Sequence, residues 1–248
     1  MRRLYDFFMY RIKHYEIINN PYEYNCVIKS MIRLTLFLFL LVGNLYAQDP
    51  WKDVYKESAW VDRDRWQKAD ELIHYLNLKT GSQVGDVGCH EGYMTLKLAA
   101  TVGSTGKVYA VDVVQSKLDK LQINLTKRNL NQVQLIKGDY DNPKLPLNML
   151  DAVIILDTYH EMDDHDQILQ HINAALKSGG RLVLCEAIAD ERRNLSRAEQ
   201  ERKHELGMSF ALEDLKKAGF LIIKQQDPFV DRTKEKADKM WLIVASKK

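Results

Sequence analysis

Short apolar runs alternate with amphipathic segments along most of the chain, and this alternation constrains the fold more than any other feature. The runs that predict strands are residues 83–87, 107–111, 133–136, 152–156, 181–185, 220–224 and 240–245. Apolar residues at helical spacing predict helices over 62–78, 93–100, 114–129, 166–176 and 212–218. A strand–helix repeat of this kind requires an α/β fold with a mostly parallel, doubly wound sheet and right-handed crossovers.

The first 47 residues have the pattern of processing sequence rather than of a folded domain. Arg33 precedes an apolar run over 34–42, and a less hydrophobic exit leads to Ala47, where cleavage would place a small residue at the cut. Leu45 is a poor match to the small residue preferred two positions earlier. The apolar run is shorter than the roughly 20 residues that a spanning helix needs, so no stable membrane span is expected.

This signal divides the chain into four predicted segments. Residues 1–30 are interpreted as a misassigned upstream extension, 31–47 as a signal peptide, 48–80 as an N-terminal helical lid segment, and 81–248 as the main domain. The mature protein is then expected to be periplasmic or secreted after cleavage near Ala47. The alternative is a cytoplasmic protein that retains its N-terminal segment.

Charge and cysteine content exclude several classes of partner. The net charge of +2 comes from residues 1–47. The rest of the chain contains 30 basic and 31 acidic residues. This part of the chain is nearly neutral and carries charges of both signs, so it lacks the basic charge pattern that is typical of nucleic-acid binding. The three cysteines form no CxxC pair and have no metal-ligand spacing.

A glycine-rich loop follows the first predicted strand and begins the next helix. It reads DVGCHEGY over 86–93, with Asp86 two places before Gly88, then His90 and Gly92. The spacing is G-x-x-G-x-x-x-G and lacks the G-x-G-x-x-G of dinucleotide sites. A carboxylate beside the loop would repel a pyrophosphate but attract a cationic ligand. The loop therefore favours a positively charged nucleoside over a nicotinamide cofactor.

Further carboxylates follow the next two strands. Asp112, followed by Val113, ends the second strand and is placed to accept the hydroxyls of a ribose. Asp139 and Tyr140 leave the third strand, where an acid can accept an adenine amino hydrogen and an aromatic ring can flank the base. Each acid has another interpretation when it is considered alone. Asp112 is then a helix N-cap, and Asp139 is a residue that favours a turn.

These segments resemble the class I S-adenosylmethionine-dependent methyltransferases, in particular the small-molecule branch that includes ubiquinone/menaquinone C-methyltransferases and arsenite methyltransferases. The matching segments are DVGCHEGY, VYAVDV, KGDY, DAVIILDTYHEM, LKSGGRLVLCE and DLKKAGF. The resemblance implies a Rossmann-like, seven-stranded, mostly parallel sheet with an antiparallel last strand, and S-adenosylmethionine as the cofactor.

The resemblance also assigns residue roles. It places Asp86, Gly88 and Gly92 at the methionine end of the cofactor, Asp112 at the ribose and Asp139 at the adenine. The cofactor-binding set that we predict also contains four further residues, His90, Val113, Tyr140 and Asp157. His90 stands where the family usually has glycine, which predicts a reshaped loop or a narrower pocket. The arsenic-binding cysteines of the arsenite enzymes have no counterpart here.

Candidates for the chemistry lie after the fourth strand. His160 has the side chain of a general base that works near neutral pH, and the alternative is that it only shapes the pocket. The tentative substrate contacts are Trp66, Tyr159 and His204, for which core packing or a charged surface helix are the alternatives. A metal site is not expected from His160, Glu161 and His165, because the two histidines are five apart rather than four.

The sequence therefore predicts an S-adenosylmethionine-dependent methyltransferase that acts on a small-molecule methyl acceptor by in-line transfer. A non-catalytic exported protein that binds the cofactor or a partner through the same fold is the alternative from another class. A nicotinamide-dependent reductase is a more distant one.

Overall fold

The computed structural model describes residues 56–248. The predicted upstream extension, the signal peptide and the first residues of the lid segment lie outside this range. Within it, no helix is both long enough and apolar enough to cross a membrane.

The described chain forms seven strands, eight α-helices and three short 3₁₀ turns. The strands are β1 (Gln83–Val87), β2 (Lys107–Asp112), β3 (Val133–Lys137), β4 (Leu150–Leu156), β5 (Leu176–Ile188), β6 (Leu221–Arg232) and β7 (Asp238–Ser246). The helices are α1 (Trp60–Asp64), α2 (Ala69–Leu76), α3 (Tyr93–Val102), α4 (Gln115–Lys127), α5 (His165–Ala175), α6 (Arg197–Glu201), α7 (Met208–Lys217) and α8 (Thr233–Lys236). The 3₁₀ turns are Glu57–Ala59, Tyr159–Glu161 and Asp190–Arg192.

The seven strands form one sheet in the order β3-β2-β1-β4-β5-β7-β6. All neighbours from β3 to β5 pair in parallel, whereas β7 is antiparallel to both β5 and β6. The strand order reverses between β1 and β4, and ligands of open α/β sheets bind beyond the strand ends near such a point. The predicted sheet and its antiparallel last strand are confirmed.

Both faces of the central sheet are buried, as the apolar runs predict. Val153 and Ile155 of β4 pack into a core with α5 and α7, while Ala152 and Ile154 pack into a second core with α2 and α3. Successive side chains of a strand point to opposite faces, so a strand covered on both sides must be apolar throughout.

The single helix predicted over 62–78 is wrong, because the structure has two helices, α1 and α2, with a break between them. Gln67 turns inward at the break and is fully buried; it accepts a hydrogen bond from Arg63 Nε at 3.0 Å and donates to Met240 Sδ at 3.4 Å. Lys68 then adopts a left-handed backbone with φ of 52°. Burial of a polar side chain overrides the helical spacing here.

The last three strands are longer than predicted. β5 begins directly after α5 at Leu176 and includes Gly179 and Gly180. β6 extends to Arg232 and β7 begins at Asp238, so only a short connection separates the two strands. In the first half of β6, exposed residues alternate with partly buried ones, because β6 is an edge strand with one solvated face.

The segment between β5 and α7 is held by two buried polar residues, Gln200 and Glu205. Gln200 donates to the backbone oxygens of Arg192 and Leu195 and accepts from the Gly207 amide. Glu205 accepts from the Ala189 amide and from Arg192 Nε. These bonds fix the position of the intervening turn, which carries His204.

Candidate active site

The glycine loop between β1 and α3 takes its shape from three residues with a left-handed backbone. The φ angles are 82° at Gly88, 49° at His90 and 103° at Gly92. A side chain at Gly88 would place Cβ only 2.2 Å from Thr158 Cγ2, so the loop packs directly against the segment that leaves β4. His90 adopts the backbone conformation that glycine favours, so a non-glycine residue is accommodated in the loop.

Asp86 lies beneath this loop and is almost completely buried, at 2% exposure. Its Oδ2 accepts a hydrogen bond of 2.6 Å from Thr95 Oγ1 on α3. Burial raises the pKa of Asp86 to about 6, and the bond from Thr95 only partly opposes that shift. A cation bound nearby would stabilise the ionised carboxylate, so the position is electrostatically suited to a positively charged ligand.

Asp112 joins the end of β2 to the same loop. Its Oδ2 accepts from the backbone amide of His90 at 2.9 Å, and its Oδ1 accepts from that of Val114 at 2.8 Å. Burial raises the pKa of Asp112, and the charge of Asp112 in turn contributes to the raised pKa of Asp86. The structure therefore brings together Asp86 and Asp112, two of the four carboxylates predicted to bind the cofactor.

His90 is half-buried beside these acids. Burial, with a contribution from the charge of Lys117, lowers the pKa of His90 to about 4. The ring is therefore neutral at physiological pH and adds no positive charge beside a cationic cofactor.

Asp139 and Tyr140 are exposed just beyond β3, where the Gly138 amide donates to the backbone oxygen of Asp112 at 3.2 Å. Asp139 makes an ion pair of 2.9 Å with Lys144, and Tyr140 is 61% exposed. Val113 is half-buried next to Asp112. The ion pair with Lys144 neither supports nor excludes the adenine role of Asp139, which stays a prediction.

Asp157 is engaged by a buried arginine that the sequence analysis missed. Arg232, at the end of β6, donates to both carboxylate oxygens of Asp157, at 2.7 and 3.2 Å, and also pairs with Asp238. Burial alone would raise the pKa of Asp157, but the charges of Arg232 and Lys236 outweigh it and hold the pKa far below its usual range. Asp157 thus connects the end of β4 to the β6–β7 connection.

The N-terminal segment packs beside the loop and the arginine. The guanidinium of Arg63 lies 4.1 Å from the ring centre of Tyr93, the first residue of α3, whose hydroxyl donates to Asp64 at 2.7 Å. The ring of Trp66 lies 5.7 Å from the guanidinium of Arg232. Residues 60–66 therefore lie close to the carboxyl ends of the central strands, where a lid segment is expected.

Glu186 on β5 organises the segment that leaves β4, and the sequence analysis also missed it. One of its oxygens accepts from the backbone amides of Thr158 and Tyr159, and the other bonds to His160 Nδ1 at 2.7 Å. Glu186 is fully buried. A glutamate within the otherwise apolar run 182–188 was the available signal, since a buried charge must have partners.

His160 is held in this network with 7% exposure. Burial alone would lower its pKa, but the neighbouring carboxylates, led by Glu186, raise the pKa of His160 to about 10. The ring therefore carries a proton at neutral pH and can donate a hydrogen bond, and its predicted role as a general base stays a prediction. Its Nε2 lies 3.8 Å from Glu161, and its ring centre lies 5.8 Å from that of His204.

Tyr159 points into the core rather than toward a ligand. It is fully buried, its hydroxyl donates to Asp214 at 2.9 Å, and its ring contacts His165 edge-on at 4.5 Å. An open cleft of about 600 Å³ lies between residues 160–165 and α6. A substrate there would meet His160 rather than the Tyr159 ring.

Comparison with known proteins identifies the family of this chain. A family model described as a methyltransferase domain matches residues 78–240, and the chain belongs to that family, the class I S-adenosylmethionine-dependent methyltransferases. The demethylmenaquinone methyltransferase of Bacillus mycoides is 31% identical over 121 residues, which are 49% of this chain and 50% of that protein. The chain thus matches about half the length of such curated relatives.

Solved structures share the fold. A SAM-dependent methyltransferase from Aquifex aeolicus superposes with a TM-score of 0.66 at 22% identity, covering 81% of this chain and all of that one. The phosphoethanolamine N-methyltransferase 2 of Haemonchus contortus, solved with S-adenosyl-L-methionine, gives 0.60 at 15% identity over 79% of this chain and 58% of that one.

S-adenosylmethionine is the cofactor of this family, and the residues present fit it. Asp86 and Asp112 offer acceptor oxygens beside a tight backbone loop. This donor set matches a ligand with an ammonium, a sulfonium and a ribose, and it would repel a pyrophosphate.

Proposed function

We propose that this protein transfers a methyl group from S-adenosylmethionine to a small molecule. The observation that carries the proposal is the meeting of Asp86 and Asp112 at one glycine loop. Asp86 lies near the end of β1 and Asp112 at the end of β2. These neighbouring strands lie beside the switch point of the sheet, where ligands of such folds bind.

The two acids have separate tasks in this proposal. Asp86 supplies negative charge for the cationic end of the cofactor, and its raised pKa reflects the cost of burying that charge without the ligand. Asp112 holds the loop through the His90 amide and is the acceptor for the ribose hydroxyls. The bound cofactor supplies an activated methyl carbon, so the protein has mainly to align the acceptor with it.

The acceptor would enter beside His160. The histidine is cationic at neutral pH, so it favours an acceptor whose reacting group carries negative charge or accepts a hydrogen bond. A phenol or quinol hydroxyl fits this description. Demethylated quinols are the first compounds to assay, because curated relatives are demethylmenaquinone methyltransferases.

A turnover assay with methyl-labelled S-adenosylmethionine tests the proposal. The expected result is label transfer to a quinol or phenol, and its loss in Asp112→Ala. Binding of the cofactor without transfer to any fraction of a small-molecule extract would favour the non-catalytic alternative.

We also propose export of the protein, on the basis of the predicted signal at residues 31–47. Mass spectrometry of the N-terminus from fractionated cells is the test. A chain that begins at Gln48 outside the cytoplasm is expected, and a cytoplasmic chain that retains Met31 would contradict export.

A further inference from the structure

Three side chains from two distant segments meet at the edge of the cleft. His160 and Glu161 follow β4, and His204 comes from the turn after α6, more than 40 residues later. We propose that these three residues bind a divalent transition-metal ion of the zinc type. Two imidazole nitrogens and one carboxylate are a donor set found in catalytic zinc sites.

The distances between the donor atoms suit one ion. Glu161 Oε1 lies 3.8 Å from His160 Nε2 and 3.5 Å from His204 Nδ1, and the three ligand atoms all lie within 4.8 Å of one another. Bonds of zinc length in a tetrahedral arrangement place donor atoms about 3.3 Å apart. Small side-chain rotations would therefore close the set around an ion, and Glu161 and His204 are exposed enough to rotate, at 59% and 76%.

His160 already has the second partner that a ligating histidine requires. Its Nδ1 bonds to Glu186 at 2.7 Å, which leaves Nε2 directed at Glu161 and His204. A carboxylate on the far nitrogen fixes the ring and strengthens the near nitrogen as a ligand. His160 is cationic without a metal ion, and an ion that binds at Nε2 displaces the proton there and supplies positive charge in its place. The carboxylates of Glu161 and Glu186 would balance the two charges of the ion.

His204 is held in an uncommon backbone conformation. Its φ of 57° is left-handed, and its amide donates to Glu201 at 2.9 Å. Buried bonds of Gln200 and Glu205 brace this turn on both sides. In this arrangement the rings of His160 and His204 stand at 78° to each other, and both lie near the Glu161 carboxylate.

Three protein ligands leave at least one coordination position for another group. His160 and Glu161 also line the cleft of about 600 Å³. That position would take water or an oxygen of the methyl acceptor. The site goes beyond the proposed function, since methyl transfer to an acceptor needs no metal ion.

Metal titration of the full, tag-free chain after chelator treatment tests the proposal. Isothermal titration with Zn²⁺ alone is expected to show one ion per chain, and Co²⁺ is expected to give the visible bands of a four- or five-coordinate site. His204→Asn and Glu161→Gln should each weaken Zn²⁺ binding at least tenfold. Asparagine tolerates the left-handed backbone, so His204→Asn should keep the turn intact.

His74→Asn is the matched control, because His74 is exposed on α2 and belongs to no part of the cluster. It should bind Zn²⁺ as the unchanged protein does. Less than one ion per chain, or unchanged affinity in either cluster variant, would overturn the proposal. Cofactor titration of the same samples reports separately on the proposed function.

Discussion

The Asp112 carboxylate accepts a hydrogen bond of 2.9 Å from the backbone amide of His90, and this bond ties the end of β2 to the glycine loop after β1. His90 replaces the glycine that is usual in the family, and its amide bonds to Asp112, the residue predicted to bind the ribose. His90 keeps the left-handed backbone, with φ of 49°. The loop therefore retains its tie to Asp112 although its sequence departs from the family pattern.

Gly88→Ala should destabilise the protein by roughly 1–3 kcal/mol beyond the backbone cost, since the added Cβ would lie 2.2 Å from Thr158 Cγ2. Gly179→Ala is the control, because Gly179 also has a left-handed φ, of 74°, but nothing lies within 4 Å of its added Cβ. Urea unfolding of both variants measures the difference. Equal losses in the two would show that the contact with Thr158 does not matter.

Asp86→Asn should stabilise the cofactor-free protein above pH 6 by up to about 3 kcal/mol. The pKa of Asp86 is about 6 in the folded state against 3.8 as the ordinary value, so the folded state holds the extra proton between these limits. The free energy of unfolding therefore falls as pH rises from 4 to 6, and asparagine removes that loss. Unfolding curves at pH 4, 5, 6 and 7.5 should show that Asp86→Asn has the larger free energy of unfolding and that its advantage vanishes near pH 4. A difference in the free energy of unfolding that does not depend on pH would contradict the burial of the Asp86 charge.

Arg232→Met should be among the most destabilising single changes in the β6–β7 region, by about 3–5 kcal/mol. The substitution leaves the carboxylates of Asp157 and Asp238 buried without the guanidinium that bonds both. Lys239→Met removes a cation that pairs on the surface with Asp190, so it serves as the exposed comparison and should cost below about 1 kcal/mol. Thermal unfolding that ranks the two variants equally would contradict the bracing role of Arg232.

Cofactor affinity should rise with pH between 5 and 7. A cationic ligand favours the ionised form of Asp86, and this carboxyl is largely protonated below its pKa of about 6. Titration of S-adenosylmethionine at several pH values should give a slope that Asp86→Asn flattens. A slope that survives in the variant would assign the pH dependence to another group.

The sequence predicts the features of this fold that depend on local patterns. Apolar runs locate all seven strands, and the acid-flanked glycine loop locates Asp86 and Asp112 correctly at neighbouring strand ends. The bonds of Arg232 to Asp157 join residues 75 positions apart, and no local pattern marks such a pair. The helix break at Gln67 likewise depends on a distant partner, Met240.

The meeting of His160 with His204 was missed for a similar reason. Residues 187–209 have weak helical character in sequence, and their path is set by Gln200 and Glu205, whose partners are backbone groups. Polar side chains that bond to backbone atoms fix a loop without leaving a periodic signal.

Titration calorimetry of S-adenosylmethionine against the unchanged protein and Asp112→Ala tests the central claim most directly. We expect binding to the unchanged protein and a loss of at least tenfold in the variant, since a hydrogen bond to a charged group contributes about 1.5–3 kcal/mol. Circular dichroism of both samples verifies that the variant is folded. Equal affinity in the two proteins, or no binding by either, would contradict the assignment of this loop and its two acids as the cofactor site.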